Sequence, residues 1–550
     1  LLAYCKKIKN SRSKNLRNKI MLQTTRSYRG MVTAPHNLAA RAGLRVLEDG
    51  GNAIEAMVAS AATIAVVYPH MNGLGGDNFW LIHTPGKDVV GIDACGAAAG
   101  LANTDYYSRQ GFDAIPSRGQ HAALTMAGAV SGWQEALRFS RDKWGGTMSL
   151  ERIFEDAIHY ASNGVAVTNT LADNMRLKLD ELASAPGFNQ NYLFEGLLPE
   201  AGMRHCQPRI AETLKHLASA GLDDFYRGDL AQSMAADLER SGSPLRLNDF
   251  ERHQALLVNP LSIDIAGHKV FNMPPPTQGL ASLILLGVYE RLGVNQTETY
   301  DFIHGLVEST KQAFRVRDRY VTDPNYMPTP AHEFLNAKSL DKMALNVDWK
   351  TALAWPEASS KGDTVWLGSV DGEGRAVSFI QSVYWEFGSG VVLDDTGVTW
   401  QNRGTSFSLD PMHHNALAPH RRPFHTIQPA PAQLSDGRVM PYGAMGGEGQ
   451  PQTQAMVFAR YALHSQELQQ AVTAPRWLLG RTWGADATSL RIESRVDQDV
   501  IVALKEAGHD LEVVGDYEEV MGHAGALVHH PDGLIEGAAD PRGDGQAAGF

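Results

Sequence analysis

Residues 364–387, TVWLGSVDGEGRAVSFIQSVYWEF, are two strand-like runs flanking DGEG, and they follow the loose stretch WPEASSKGD. The turn signal predicts a β-hairpin in the middle of the chain. What precedes it is different in kind. Residues 37–68 carry apolar residues at three- and four-residue spacing, broken at EDGGN, which predicts two helices. The Gly-rich PHMNGLGGDN leads into FWLIHT and VVGIDA, two short strands about GK. Amphipathic helical patterns such as LERIFEDAIHYASNG fill residues 131–240. PPPTQG halts one element before the helical LASLILLGVYERLG, and helical segments run to about residue 320. Between 330 and 363 the pattern weakens, and Pro, Ser, Gly and Lys near its end predict an exposed connection. The last third alternates short strands and helices. A helix-rich first half joined to a central hairpin predicts an α+β or layered α/β architecture.

At 550 residues the chain has material for roughly three to four core-sized units. A formal net charge of −12 argues against non-specific nucleic-acid binding and against an anionic membrane surface. No run of ~18 apolar residues occurs, so no transmembrane helix is expected. Cys5, Cys95 and Cys206 are odd in number and far apart, which suits neither a disulfide framework nor a CxxC metal site. A reducing compartment fits them, and Cys95 is expected to be a small buried thiol. Residues 1–20 hold seven Lys or Arg and no acid, and Met21 follows. They are read as a leader outside the fold. MLQTTRSYRGMVTAPH supplies no apolar core of a signal peptide, so a cytoplasmic location is expected.

Thr364 heads an apolar run directly after Asp363. Thr is a good strand former, and its place there is ordinary on that ground. A cut between Asp363 and Thr364 would give it a second meaning: a hydroxyl and a free α-amine on one residue, a nucleophile and its base. GLGGDN lacks the strand–GxGxxG–helix context of a dinucleotide site and the GK[ST] of a phosphate loop. His413, His414 and His420 match no standard zinc spacing, and neither HExxH nor GxSxG occurs. No metal or other cofactor is expected.

Six blocks in fixed order carry more. GNAIEAMVASAATIAVVYPHMNGLGGDNFWLIH, PPPTQG, GDTVWLGSVDGEGRAVSFIQSVYWEFGSGV, RPFHTIQPA, GAMGGEGQPQ and GAADPR together resemble the γ-glutamyltransferase family of N-terminal-nucleophile hydrolases. The resemblance runs from about residue 30 to the C-terminus. It implies a four-layer αββα sandwich and an inactive precursor that cuts itself between Asp363 and Thr364. The products would be a large subunit (21–363) and a small subunit (364–550) that stay together, with a dimer of such heterodimers as one assembly open to them. Thr364 would be the nucleophile. Its α-amine, with an unperturbed pKa of ~7.7–8.0, suits a base at neutral pH. Ser382 matches a second hydroxyl that hydrogen-bonds the nucleophile, where the family has Thr. Gly446 and Gly447 match the Gly-Gly pair whose N–H groups form an oxyanion hole, each such donor typically worth ~10²–10³ in rate.

Substrate recognition departs from the family pattern. In relatives that bind a glutamyl head group the second strand after the Gly-rich loop reads DFRE, and its Arg clamps the α-carboxylate. Here DACG puts Cys95 in that place. The Ser-Ser pair that helps hold the carboxylate becomes His425 and Thr426. The Asn after the second hydroxyl becomes Tyr384, the acid that grips the amino group becomes Ser406, and its assisting Gln becomes Arg403. A buried carboxylate without its bidentate Arg lacks a charged partner, so a γ-glutamyl substrate is not expected to bind well. Arg403 instead brings a cation to the wall where an ammonium used to sit. The substrate expected is a small anionic amide, oxamate first, with Tyr384 and Trp385 narrowing the pocket; its hydrolysis to oxalate and ammonia is a step of purine-nitrogen breakdown. A γ-glutamyl hydrolase or transferase acting on glutathione-like substrates, a cephalosporin or glutaryl acylase, and an uncut binding relative stay open. The span from Ser408 to Pro423 is short for a pocket lid, which predicts an open cleft.

Overall fold

The central hairpin forms as its turn predicts. In the computed structural model, which describes residues 22–355, 363–480 and 488–550, strands Asp363–Asp371 and Ala376–Tyr384 pair antiparallel. The leader expected at residues 1–20 and the side chain of Asp363 lie outside the described residues. The hairpin sits inside a seven-stranded sheet of order Gln546–Gly549, Gly30–Ala34, Asp363–Asp371, Ala376–Tyr384, Asp77–His83, Val90–Ala94, Leu256–Val258. A second seven-stranded sheet runs Thr25–Ser27, Ile535–Ala539, Ala524–His529, Val439–Ala444, Ala430–Gln433, His268–Asn272, Leu261–Ile265. Both are antiparallel throughout.

The two sheets stack face to face. Phe79, Leu81, Trp366 and Ile380 of the hairpin sheet meet Phe271, Met273 and Ile427, and Met31, Val370 and Ala376 meet Val439, Leu527 and Ile535. Two glycines set the spacing. A Cβ on Gly443 or Gly525 would lie 2.1 or 2.6 Å from the Trp366 ring, so the indole occupies volume that any side chain there would need. Its Nε1 donates to Ser378 Oγ at 3.0 Å, which satisfies the one polar atom of the ring.

Helices cover both outer faces. Ala53–Val67 is buried all round and lies against the hairpin sheet, with Asn37–Glu48, Ala129–Phe139 and Leu150–Asn163 in the same core. Its Ala-rich sequence fits that position, and an Asn52/Glu55 capping box satisfies its first N–H groups. Gly279–Arg291, Tyr300–Tyr320 and Gly449–Phe458 cover the second sheet. The order is helix, sheet, sheet, helix: an α+β four-layer sandwich, as expected. No helix among the described residues is long and apolar enough to cross a membrane.

One expectation is corrected. The weak pattern after residue 330 is not simply an exposed connection. Ala337–Ala344 is a helix capped by Asn336, and Leu340 is buried against Gly287. Beyond it, one face of the helix Tyr300–Tyr320 grips the main chain. Tyr300 Oη donates to the Trp349 carbonyl (2.9 Å), His304 Nε2 meets that of Asp348 (2.8 Å), and Lys311 Nζ donates to that of Leu353 (2.6 Å), while Glu308 accepts from the Leu353 N–H. Side chains three and four residues apart share a helix face, so periodicity within 330–353 itself could not announce this docking.

Replacing Trp366 by Ala should open a cavity between the sheets and lower stability by about 3–5 kcal/mol, the range for a buried aromatic. A urea unfolding midpoint within error of the parent's would show that the sheets close up without it.

Candidate active site

Strand alternation decides what faces the space between the sheets. Trp366, Ile380 and Phe79 point there, so Thr364, Ser382 and Asp77, each two residues away along its strand, share that face at one end of the sandwich. Ser382 pairs directly with Asp77. On its other side the register shifts between Asp363 and Val365, a bulge that sets Thr364 opposite Ser382 and Val383. The three therefore form a row across the sheet, with Thr364 and Asp77 two strand spacings, ~10 Å, apart. All three are buried. The expected pair Thr364 and Ser382 is brought together; Asp77 is a member the sequence reading passed over.

The Gly-rich loop explains itself as close approach rather than as a phosphate cradle. A Cβ on Gly76 would sit 2.2 Å from the Ser382 carbonyl oxygen, and one on Gly75 2.2 Å from that of Thr399. Gly75 also accepts from Gln401 N at 3.0 Å, tying the loop to the WQNRG segment. At the end of the hairpin Tyr384 adopts φ = 84°, a conformation strained by ~1–3 kcal/mol for a bulky residue. Its N–H donates to Ser382 Oγ at 2.7 Å, and its ring lies under a guanidinium, with Arg403 Cζ 3.7 Å from the centroid.

Arg403 is fully buried. Nη1 donates to Thr426 Oγ1 at 3.1 Å, while Nε and Nη2 have no hydrogen-bond partner among the described residues. Burial draws it down to about 10, opposed by Tyr384, Asp77 and Cys95, so it remains charged at neutral pH. Asp77 supplies the opposing carboxyl. Its Oδ1 accepts from Gly96 N (2.9 Å) and Gly128 N (3.0 Å), and Oδ2 faces His425 Nε2 at 3.5 Å. Burial pushes Asp77 up to about 7, against the field of Arg403 and those N–H groups. Burial, then Arg403 and Arg422, holds His425 well below 6.5, so it is neutral. The other nearby cations are committed: Arg421 to the carbonyls of Ala416 and His414 and to Thr322 Oγ1, Arg422 to Asp93 (2.7 Å) and Asp323 (3.5 Å).

Gly446 and Gly447 arrive from the second sheet, on the turn between strand Val439–Ala444 and helix Gly449–Phe458, with φ of 112° and 51°. Gly446 in particular suits only glycine. Neither N–H has an acceptor among the described residues. Residues the sequence reading did not single out hold this turn. Gln278, from PPPTQG, donates through Nε2 to the carbonyls of Gly447 (2.8 Å) and Thr426, and its Oε1 accepts from Arg317 Nη1 at 3.1 Å. Arg317 in turn pairs with buried Glu448 at 2.9 Å. Gln450 donates to Thr364 Oγ1 at 3.2 Å. Glutamine at these positions is silent in a sequence pattern, because its role is set by what the fold brings to it.

One further expectation changes. The cleft is not open: Thr364, Ser382, Arg403, His425 and Thr426 are fully buried, Tyr384 nearly so, and Ser406 partly exposed with its Oγ unpartnered. A cavity of about 310 Å³ reaches Cys95, a buried thiol that burial pushes up, beside Arg422 and Asp93. The histidines of HHNALAPH do not converge: the His413 and His414 rings lie 4.4 Å apart, tilted by 35°, whereas His420 packs on Gly100. Among the described residues only His304, Glu308 and His509 cluster as metal ligands would, and there Lys311 Nζ, 2.7 Å from Glu308 Oε1, already supplies the positive charge.

Stacked antiparallel sheets between helical layers, with this site at their edge, define an amidohydrolase of the N-terminal-nucleophile type. The family model for γ-glutamyltranspeptidase matches residues 39–550, and the chain belongs to that family. It is 52% identical to the oxamate amidohydrolase proenzyme of Klebsiella pneumoniae over 95% of this chain and 99% of that one. It is 40% identical to a glutathione hydrolase-like proenzyme of Bacillus subtilis, over 94% of this chain and 98% of that one. The crystal structure of cephalosporin acylase from Bacillus halodurans superposes with a TM-score of 0.88 at 33% identity, covering 96% of this chain and 97% of that one.

The buried carboxyl has a consequence for stability. Its folded pKa, about 7, lies above the unfolded value of 3.8, so the folded state is favoured at low pH and loses stability as pH rises between them. Asp77→Asn should therefore melt higher than the parent at pH 8, and the difference should shrink toward pH 4. A thermal scan showing the opposite trend would mean that the field of Arg403 outweighs the burial of Asp77.

Proposed function

We propose that the protein is a self-processing amidohydrolase that converts a small anionic amide, oxamate first, to a dicarboxylate and ammonia. The observation that carries this is Arg403: a buried cation with two nitrogens unpartnered among the described residues, stacked on the Tyr384 that ends the strand carrying Ser382. The identity to an oxamate amidohydrolase proenzyme supports it. A γ-glutamyl substrate is disfavoured by Cys95 at the place of the clamping Arg and by the crowding of Tyr384.

The first reaction is on the chain itself. Thr364 Oγ1 attacks the Asp363 carbonyl, its proton passes to Thr364 N as the C–N bond breaks, and water hydrolyses the resulting ester, which frees the hydroxyl and leaves subunits 21–363 and 364–550. Both sheets interleave strands from the two pieces, which keeps them together. In the mature enzyme the α-amine of Thr364 takes the hydroxyl proton as Oγ1 attacks the amide carbon of oxamate. Arg403 holds the neighbouring carboxylate, with Thr426 orienting the guanidinium. His425 and Ser406 line the same pocket, and Tyr384 stacks beneath it. The oxyanion forms against the N–H groups of Gly446 and Gly447. Collapse returns the proton to the leaving nitrogen, which departs as ammonia, and an oxalyl ester of Thr364 remains. Water, deprotonated by the same amine, releases oxalate. Ser382 steadies Thr364 Oγ1 throughout. The setting is cytoplasmic, with a dimer of heterodimers as the assembly.

Thr364→Ala should run as one chain on a denaturing gel where the parent gives two; equal cutting of both would reassign the junction. Arg403→Met should be cut normally and lose at least the ~10–100-fold in kcat/KM on oxamate that matches a charge-assisted hydrogen bond of about 1.5–3 kcal/mol. Ammonia released from oxamate at the parental rate would move the anion receptor elsewhere. Chelator should leave activity intact, and loss restored by zinc would overturn the metal-free scheme.

A further inference from the structure

We propose that Asp77 is a positioning residue that balances the charge of Arg403 while the pocket is empty and takes up one proton when a substrate anion arrives. This rests on the reading of Arg403 as the anion receptor. Asp77 holds its place rigidly, because Oδ1 is spent on the N–H groups of Gly96 and Gly128, and Oδ2, 3.5 Å from His425 Nε2, is left without a hydrogen bond among the described residues. It lies in the row behind Ser382, so an acyl group bound at Thr364 and reaching Arg403 comes close to it.

The groups around Asp77 can be counted. Arg403 and His425 face it from the loops, Cys95 from the next strand, and Tyr226 from the short helix Asp224–Arg227, with Arg422 acting on Cys95 and His425. Burial keeps Cys95 and Tyr226 protonated and His425 neutral. Asp77 and Arg403 are the charged pair. An arriving carboxylate on Arg403 would add a second anion to the field of one guanidinium with water excluded, which favours protonation of one of the two acids. The substrate carboxylate is the stronger acid and is held by Arg403, so the proton goes to Asp77 Oδ2. It comes from solvent, and no bond other than O–H is made. Asp77, already pushed up to about 7 in the empty site, is poised for it. The protonated carboxyl can then donate toward His425 Nε2 or toward the anion.

The test is calorimetric binding of oxalate, the product of the proposed reaction, at pH 8 in buffers of differing ionisation enthalpy. The processed parent should take up nearly one proton, and its Kd should rise about tenfold per pH unit above 7. Asp77→Asn should bind without uptake and with a flat pH profile. Binding by the parent without uptake overturns the role of Asp77 and leaves the Arg403 reading standing. Equal uptake by Asp77→Asn also overturns it, because the proton then goes to the α-amine or to His425. Failure of the parent to bind oxalate sinks the substrate reading and this inference together. Should Asp77→Asn not fold, the uncut Thr364→Ala chain, which has no α-amine, and the His425→Gln variant decide together: uptake retained in both supports Asp77, and uptake lost in either overturns it.

Discussion

A guanidinium taken out of water with too few partners constrains everything around it. Burying an isolated charge is among the most costly things a fold can do, and the cost is tolerated where the charge is opposed and solvated by fixed dipoles. Among the described residues, Arg403 has one hydrogen bond, to Thr426, one aromatic face, Tyr384, and one opposing carboxyl, Asp77. Each needs its own support. Tyr384 reaches the cation from a strained backbone, Thr426 is fixed through its carbonyl by Gln278, and Asp77 is fixed by two backbone N–H groups. The same Gln278 nitrogen reaches Gly447, so the guanidinium proposed to receive the anion and the turn proposed to hold the oxyanion share a strut. Receptor and turn cannot drift apart without breaking that side chain's bonds.

The sandwich makes this geometry durable. The row Thr364–Ser382–Asp77 is built on three neighbouring strands, where spacing is set by main-chain hydrogen bonds rather than by loops. Groups opposite it come from the second sheet, whose distance is fixed by Trp366 lodged against Gly443 and Gly525. Because strands from before and after Thr364 alternate in both sheets, a break at that point would free a chain end without releasing either piece.

Much of this was legible in the sequence because short-range rules govern it. DGEG between apolar runs gave the hairpin, EDGGN the helix break, and the ordered blocks the four layers and the meeting of Thr364 with Ser382. What stayed hidden depends on distant partners. Asp77 reads as a polar residue ending a Gly-rich loop, and only the sheet register shows it beside Ser382. Gln278 and Gln450 carry no periodicity or charge to mark them. The expectation of an open cleft failed for a related reason: the short Ser408–Pro423 span says how long one loop is, not that Tyr384, His425 and Arg403 themselves fill the space beneath it.

Register also suggests how the pocket diverged from a glutamyl site. Asn78 pairs with Ala94, and one residue further Asp77 comes level with Cys95, the position where glutamyl-binding relatives are expected to carry their clamping Arg. A cation there would lie beyond Asp77 from Thr364, at a distance suited to a long acyl arm. In this chain the cation comes instead from the Arg403 loop, stacked on a Tyr that ends the strand carrying Ser382. On the proposed reading, the positive charge that meets the substrate lies on the flank of the row rather than at its far end. A carboxylate held on that flank would belong to a short acyl group, because the arm between it and the attacked carbonyl has no depth of pocket left to fill. Specificity of this kind needs no change in the row itself, only a change in where along it the charge is placed.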